Sequence, residues 1–243
     1  RVAYCMSLGS YAQRRVVPAQ QLVKLPDAVT DEQAAAMMLK GCTVQYLIRR
    51  TYPIKAGETV LFHAAAGGCG LIACQWLKHL GARVIGTVST AEKAELAKAH
   101  GCDYPIVYTE ENFVERVRTL TDGHGVPVVY DSIGKDTFED SLDCLQPRGL
   151  LVSFGNASGA VEPFSPTILA AKGSLFLTRP TLATFVATPE ELKATTSDLF
   201  EVVSSGSVKI EVGQTYALED AAQAHRDLEA RKTTGSTVLL TGA

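Results

Sequence analysis

The chain has 243 residues, of which 46% are hydrophobic and 20% charged, with a formal net charge of −3. These values describe a globular chain of one large domain or one and a half small ones. They exclude a basic field that would draw the chain onto nucleic acid or an anionic membrane, and no apolar run approaches the roughly 18 residues of a membrane span.

Arg1 to Gln21 holds no continuous apolar stretch of the signal-peptide kind. Arg1-Val2-Ala3-Tyr4-Cys5 opens mid-pattern without an initiator Met, as a piece of a longer protein would. Ser10 to Val17 alternates weakly and stops at Pro18, which predicts a short strand and a turn. Leu22 to Leu25 is a second short extended piece, ended by Pro26. Thr30 and Gln33 have the spacing of a capping box and start a helix over Asp31 to Leu39. Thr43 to Thr51 predicts a second helix that stops near Pro53.

From Thr59 the pattern becomes regular. Strands are predicted at Thr59–His63, Arg83–Val88, Pro105–Tyr108, Val126–Tyr130, Leu150–Phe154 and Ser174–Thr178. Between them fall helices led by Leu71, Ala91, Asn112, Thr137 and Ile168. Strands alternating with helices of about ten residues predict βαβ crossovers, and continuous apolar strands predict a sheet covered on both faces. The fold class is therefore α/β, with a doubly wound, parallel, six-stranded Rossmann sheet. After Pro180 the rhythm changes: a helix from Pro189 to Val203, a strand beginning at Gly206 to Val208, a helix over Leu218–Ala230 and a strand over Ser236–Leu240. This tail and the first forty or so residues read as parts of a second domain.

The six cysteines form no CxxC pair and no zinc-like spacing, so no metal site is expected from them. Most lie in apolar segments, which points to a reducing, cytoplasmic compartment.

The turn Ala65-Ala66-Gly67-Gly68-Cys69-Gly70 follows a strand and opens a helix, the context that makes a glycine pattern a dinucleotide site. Gly67 lets the main chain approach a pyrophosphate, Gly70 lets helix and strand pack closely, and the helix N-terminus offers free N–H groups. An NAD site needs an acid at the end of the second strand. Here Val88 is followed by Ser89, Thr90 and Lys93, which can hold a 2′-phosphate by hydrogen bonds and charge, while Glu92 lies beyond the strand end. Helix capping by Ser89 or Thr90 is the plain structural alternative and is compatible with phosphate binding. The expected cofactor is NADPH.

Phe62 to Trp76, Val129-Tyr130-Asp131-Ser132-Ile133-Gly134, Ser141 to Leu145 and Gly149 to Gly159 resemble the zinc-independent quinone oxidoreductases. These are the zeta-crystallin-like branch of the medium-chain dehydrogenase/reductase superfamily. The resemblance spans essentially the whole chain; Cys69 stands where that family usually has valine.

It implies a GroES-like catalytic domain whose N-terminal portion is largely missing here and ends over residues 1–41, a Rossmann nucleotide-binding domain over 42–180, and a C-terminal portion of the catalytic domain over 181–243. It further places Tyr46 near the nicotinamide, with Thr43 one helical turn earlier, and Gly68 and Cys69 at the pyrophosphate. Ser89, Thr90, Lys93 and Tyr108 surround the 2′-phosphate in this reading. Ser132, Ile133, Phe154, Gly155, Asn156 and Ala157 border the cofactor, as do Pro180 and Leu182, and Arg231 reaches back to a phosphate. Tyr46 and Tyr108 have a packing alternative, Arg231 a helix-terminal one, and His63 and Asp131 read as structural.

The implied activity is metal-free reduction of a small-molecule quinone by NADPH, with no catalytic acid or base identified and the nicotinamide directed into an interdomain cleft. A homodimer built on the strand near Ser174–Thr178 is also implied. Reduction of enones or alkenals is the second enzyme reading. A non-enzymatic crystallin-like or RNA-binding role is the third, and the charge argues against the nucleic acid.

Overall fold

The structure is a computed structural model and describes residues 1–230 and 232–242. Strands β1 (Val2–Ala3) and β2 (Val23–Lys24) precede helix α1 (Asp31–Tyr46), which runs into a π-helical turn at Leu47–Thr51. An alternating series follows: β3 (Thr59–Phe62), α2 (Gly68–His79), β4 (Arg83–Val88), α3 (Ala91–Ala99), β5 (Tyr104–Val107), α4 (Phe113–Leu120), β6 (Val126–Asp131), α5 (Phe138–Asp143), β7 (Leu145–Ser153), α6 (Thr167–Ala171) and β8 (Phe176–Thr178). Then come α7 (Leu182–Phe185), α8 (Pro189–Ser204), β9 (Val212–Ala217), α9 (Ala221–Glu229) and β10 (Ser236–Leu240).

The chain divides into two compact units. One comprises Leu47–Ala66 and Ala73–Thr181 and holds the parallel six-stranded sheet in the order β5-β4-β3-β6-β7-β8. The order reverses direction between β3 and β6, the switch point at which such sheets bind ligands beyond the carboxyl ends of their strands. Leu61 lies opposite both Ile85 and Val129, and all three are fully buried. They form one core with Ile106, Val117 and Leu142, so helices cover the strands and explain their unbroken apolar runs. The doubly wound α/β sheet expected from the strand rhythm is the observed one. Strand β7 starts earlier than its apolar run, because Val126 pairs with Leu145 before a register shift.

The other unit comprises Arg1–Tyr46, Gly67–Ile72 and Leu182–Ala243. Strands β1 and β2 pair antiparallel, β9 and β10 pair parallel, and α1 packs on α8. Thr30 and Gln33 cap α1 reciprocally at 3.0 and 3.1 Å, and Thr188 and Glu191 do the same for α8.

Three local expectations are corrected. Ser10 to Val17 is not a strand: it finds no partner edge, and Arg15 gathers it into a knot by donating to Ser7 Oγ at 2.7 Å and Tyr4 OH at 3.0 Å. The two helices expected around residues 31–51 are one, since Gly41 does not stop α1. A Cβ there would lie 2.5 Å from Leu199 Cδ1, so this glycine serves the α1–α8 contact. Gly206 to Val208 closes α8, with Gly206 at φ +78°, and the strand begins only at Val212.

Candidate functional site

The turn from β3 into α2 is held tightly on β4. Ala64 has a left-handed backbone, φ 54°, a conformation an L-residue adopts only when its surroundings enforce it. Its N–H donates to Thr87 Oγ1 at 3.3 Å, and the Ala65 N–H donates to the Thr87 carbonyl at 3.0 Å. Gly86 makes this approach possible, because a Cβ there would stand 2.5 Å from Ala65 Cβ and 2.7 Å from Cys102 Sγ. Helix α2 then begins at Gly68, with its first backbone bond from the Leu71 N–H to the Gly67 carbonyl at 2.9 Å. The N–H groups before Leu71 have no acceptor within the helix and carry the positive end of its dipole, which suits them to an anion.

Gly67 also pairs with Gly235 in a parallel bridge. Lys40, from α1, lies over Gly68: a Cβ on that glycine would meet Lys40 Cδ at 2.7 Å and Nζ at 2.8 Å. The Lys40 ammonium donates to Ser236 Oγ at 2.8 Å, and that hydroxyl donates to the Ala36 carbonyl at 3.0 Å. Burial holds the Lys40 ammonium below the usual lysine range and pushes the neighbouring Cys69 thiol up to about 11. Nothing in the sequence around Lys40 marks it; only the packing of α1 puts it at the turn.

At the carboxyl ends of β4 and β5 the structure brings together Ser89, Thr90, Lys93 and Tyr108. Thr90 is the N-cap of α3 and accepts from the Lys93 N–H at 3.3 Å. The Tyr108 N–H donates to the Val88 carbonyl at 3.1 Å, and Thr109 Oγ1 donates to the Ser89 carbonyl at 3.1 Å. The Tyr108 ring is 45% exposed, so it is not a core aromatic. Glu92 sits in the first turn of α3 rather than at the strand end. Hydrogen bonds from its own backbone N–H and from Thr90 hold its carboxyl below the usual range.

The ends of β6 and β7 form a second group in the same unit. Asp131 is fully buried; its Oδ1 accepts from the Ile133 and Gly134 N–H groups at 2.7 and 3.2 Å, and its Oδ2 accepts from Thr137 Oγ1 at 2.8 Å. Ser132 and Ile133 are thereby fixed beside Phe154 to Ala157. The Phe154 N–H donates to the Asp131 carbonyl at 2.7 Å and the Ala157 N–H to the Ser132 carbonyl at 3.1 Å. Gly155 has no room for a side chain, since a Cβ would lie 2.5 Å from the Ser132 carbonyl oxygen. The exposed residues of this group are Asn156 and Ala157.

His63 also belongs to the Asp131 network. Its ring lies 2.9 Å from Thr87 Oγ1 and 3.0 Å from Ser141 Oγ, with Ser141 Oγ 3.5 Å from Asp131 Oδ2. Serine stands between histidine and aspartate, the reverse of a nucleophilic triad, and all are buried. Burial holds the His63 imidazole below its usual value, so it is neutral. These residues are a structural network beneath the strand ends.

Thr43 donates to the Leu39 carbonyl at 2.8 Å. Tyr46 is buried, and its ring stacks on Phe185 at 4.4 Å and 12°. Pro180 and Leu182 are buried as well. Arg231 lies outside the described residues. Among the described residues, no three His, Cys, Asp or Glu side chains gather in a way that could hold a metal ion. No helix among them is long and apolar enough to cross a membrane.

A family model described as zinc-binding dehydrogenase matches residues 68–201. A quinone oxidoreductase of Pseudomonas aeruginosa is 58% identical over 241 residues, which cover 99% of this chain and 74% of that protein. The crystal structure of Escherichia coli quinone oxidoreductase complexed with NADPH matches with a TM-score of 0.97 at 53% identity, covering 99% of this chain and 74% of that one. A 2-haloacrylate reductase of Burkholderia sp is 48% identical over 244 residues, covering 99% of this chain and 73% of that protein. The chain therefore belongs to the quinone oxidoreductase family of the medium-chain dehydrogenase/reductase superfamily.

Proposed function

We propose that this protein reduces small-molecule quinones with NADPH and without a metal. The observation that carries the cofactor is the end of β4, where the chain offers Ser89, Thr90 and Lys93 in place of a strand-end carboxylate. The residues fit the group. The N–H groups opening α2 suit its pyrophosphate, and Lys93 supplies a cation for the 2′-phosphate. Tyr108, Ser132, Ile133 and Phe154 to Ala157 line the strand ends, with Thr43, Tyr46, Pro180, Leu182 and Arg231 assigned by family position. When bound, NADPH would supply the reducing equivalents. The protein's own residues bind and orient the cofactor and keep water from the reacting face. A quinone needs no Lewis acid, because each carbonyl activates the other through the conjugated ring. Residues 42–180 are assigned as the nucleotide-binding domain, and 1–41 with 181–243 as parts of a GroES-like catalytic domain. Six free thiols suit a reducing cytoplasm. Strand β8 is the outer strand of the sheet and bears Phe176, 61% exposed, which suits pairing with a second copy across a two-fold axis.

The test is a titration with NADPH and NADH, followed by turnover on a benzoquinone. Tight NADPH binding, weaker NADH binding and quinone-dependent NADPH oxidation are the expected results. Equal affinity for both nucleotides overturns the 2′-phosphate assignment, and NADPH binding without quinone turnover overturns the substrate. A second reading, reduction of an activated alkene by the same hydride, draws on the 48% identity to a 2-haloacrylate reductase. Turnover of an enone or a haloacrylate with none of a quinone would establish it.

A further inference from the structure

Lys40 has no role in the family reading, yet it occupies the glycine turn. Its stem covers Gly68, so glycine is needed there partly to admit it. Its ammonium donates to Ser236 Oγ at 2.8 Å, and no carboxylate among the described residues pairs with it. The side chain is half-buried, which costs hydration and disfavours the charged form. The opening turn of α2 disfavours it again, because a helix N-terminus is positive. A lysine can normally run its flexible stem to water and relieve both effects. Here the stem is laid across the turn and the head is tethered to a neutral hydroxyl. The Gly67–Gly235 bridge anchors the same turn. Two uncompensated positive features side by side form a site whose missing partner is an anion carrying more than one charge.

We propose that Lys40 is an additional cofactor-binding residue, its ammonium balancing the dinucleotide pyrophosphate held at the Gly68 and Cys69 amides. The inference rests on the NADPH reading above. It adds a cation, contributed by α1, to a turn whose helix N-terminus offers main-chain N–H groups to the pyrophosphate. Lys40 thus differs from Lys93 in what it reads: the pyrophosphate, common to both nicotinamide dinucleotides, rather than the 2′-phosphate.

The experiment compares the intact chain with Lys40→Met, which keeps the stem over Gly68, and with Ser236→Ala, which removes the tether and leaves the charge. Dissociation constants are measured by calorimetry for NADPH and for adenosine 2′-monophosphate, which has no pyrophosphate. Lys40→Met is expected to weaken NADPH on the order of tenfold, the scale of a charge-assisted contact, and to leave adenosine 2′-monophosphate within about twofold. Ser236→Ala should hold NADPH within about threefold. Unchanged NADPH affinity in Lys40→Met overturns the proposal, and so does parallel loss of both ligands, which marks a collapsed turn. Loss in Ser236→Ala as large as in Lys40→Met assigns Lys40 to structural tethering and overturns it too. Should Lys40→Met fail to fold, Lys40→Arg and Lys40→Gln replace it, and the proposal requires Arg to retain affinity and Gln to lose it. A wild-type chain that binds no NADPH defeats the cofactor reading itself, whereas wild-type binding with an unaffected Lys40→Met defeats this inference alone.

Discussion

Asp131 Oδ1 accepts the Ile133 N–H at 2.7 Å, closing a turn at the end of β6 that presents Ser132 and Ile133 beside the β7 loop. The carboxylate also takes the Gly134 N–H and the Thr137 hydroxyl, so it is a hub rather than a reacting group. Asp131→Ala strands these buried and partly buried donors, each worth about 1–3 kcal/mol when left unmade. Urea denaturation should show a loss of about 3 kcal/mol or more. NADPH affinity should fall with it, and a variant as stable as the parent would show that the turn forms without its carboxylate.

Lys93 and Thr90 meet in one hydrogen bond but have separable roles. Lys93→Ala should weaken NADPH far more than NADH, by about tenfold if a charge-assisted phosphate contact is lost. Thr90→Ala should cost about 1 kcal/mol of stability through the α3 cap. Competitive titration of both nucleotides checks the first, and thermal unfolding the second. Equal loss of NADPH and NADH in Lys93→Ala contradicts the 2′-phosphate assignment.

Gly86→Ala inserts a methyl where Ala65 Cβ and Cys102 Sγ stand 2.5 and 2.7 Å away. The turn must shift outward, at about 1–3 kcal/mol for overpacking. Because the displaced residue is in the turn proposed to hold the cofactor, NADPH affinity should drop as well as the melting temperature. A variant with normal affinity would show that Ala65 can retreat without moving Gly67.

His63 is neutral in the fold because burial lowers its affinity for protons, whereas the unfolded chain protonates it near its ordinary value of 6.5. Below that pH the unfolded state binds more protons, so stability is complete above about pH 6.5 and falls as the pH drops, by up to about 1.4 kcal/mol per unit for this group. Urea midpoints between pH 7 and 5 should trace this decline, and His63→Gln should flatten it. An unchanged slope in His63→Gln would assign the acid sensitivity to other groups.

The cysteines differ in reactivity for physical reasons. Cys5 is half-exposed, and a hydrogen bond from Cys42 holds its thiol below the ordinary range. Burial pushes Cys69 up to about 11 and Cys144 up to about 12, while hydrogen bonds to Cys5 and to Cys102, with burial, raise Cys42 and Cys74. Maleimide labelling near neutral pH, read by peptide mass spectrometry, should modify Cys5 first. Faster labelling of Cys69 would contradict its raised thiol.

Local hydrogen bonding and side-chain periodicity are written in consecutive residues, and they made most of this fold legible. The apolar runs at Val60 to Phe62, Val84 to Val88 and Val128 to Tyr130 could only be covered strands, and Thr30 with Gln33 could announce α1 without knowledge of its neighbours. The glycine turn and the absence of an acid after Val88 are equally local, and they point to the cofactor without any long-range contact.

What required the tertiary structure was pairing between distant segments. Residues 31–51 read as two helices, although Gly41 lies within α1 against Leu199, and Ser10 to Val17 reads as a strand until no edge accepts it. Lys40 carries no motif, and it reaches Gly68 and Ser236 only because the Ser236 hydroxyl meets the Ala36 carbonyl across 200 residues of chain. Such contacts depend on which surfaces bury one another, a property of the packed molecule rather than of any window of its sequence. The sequence by itself thus determined the sheet and its glycine turn, while packing decided which charged side chain stands over that turn.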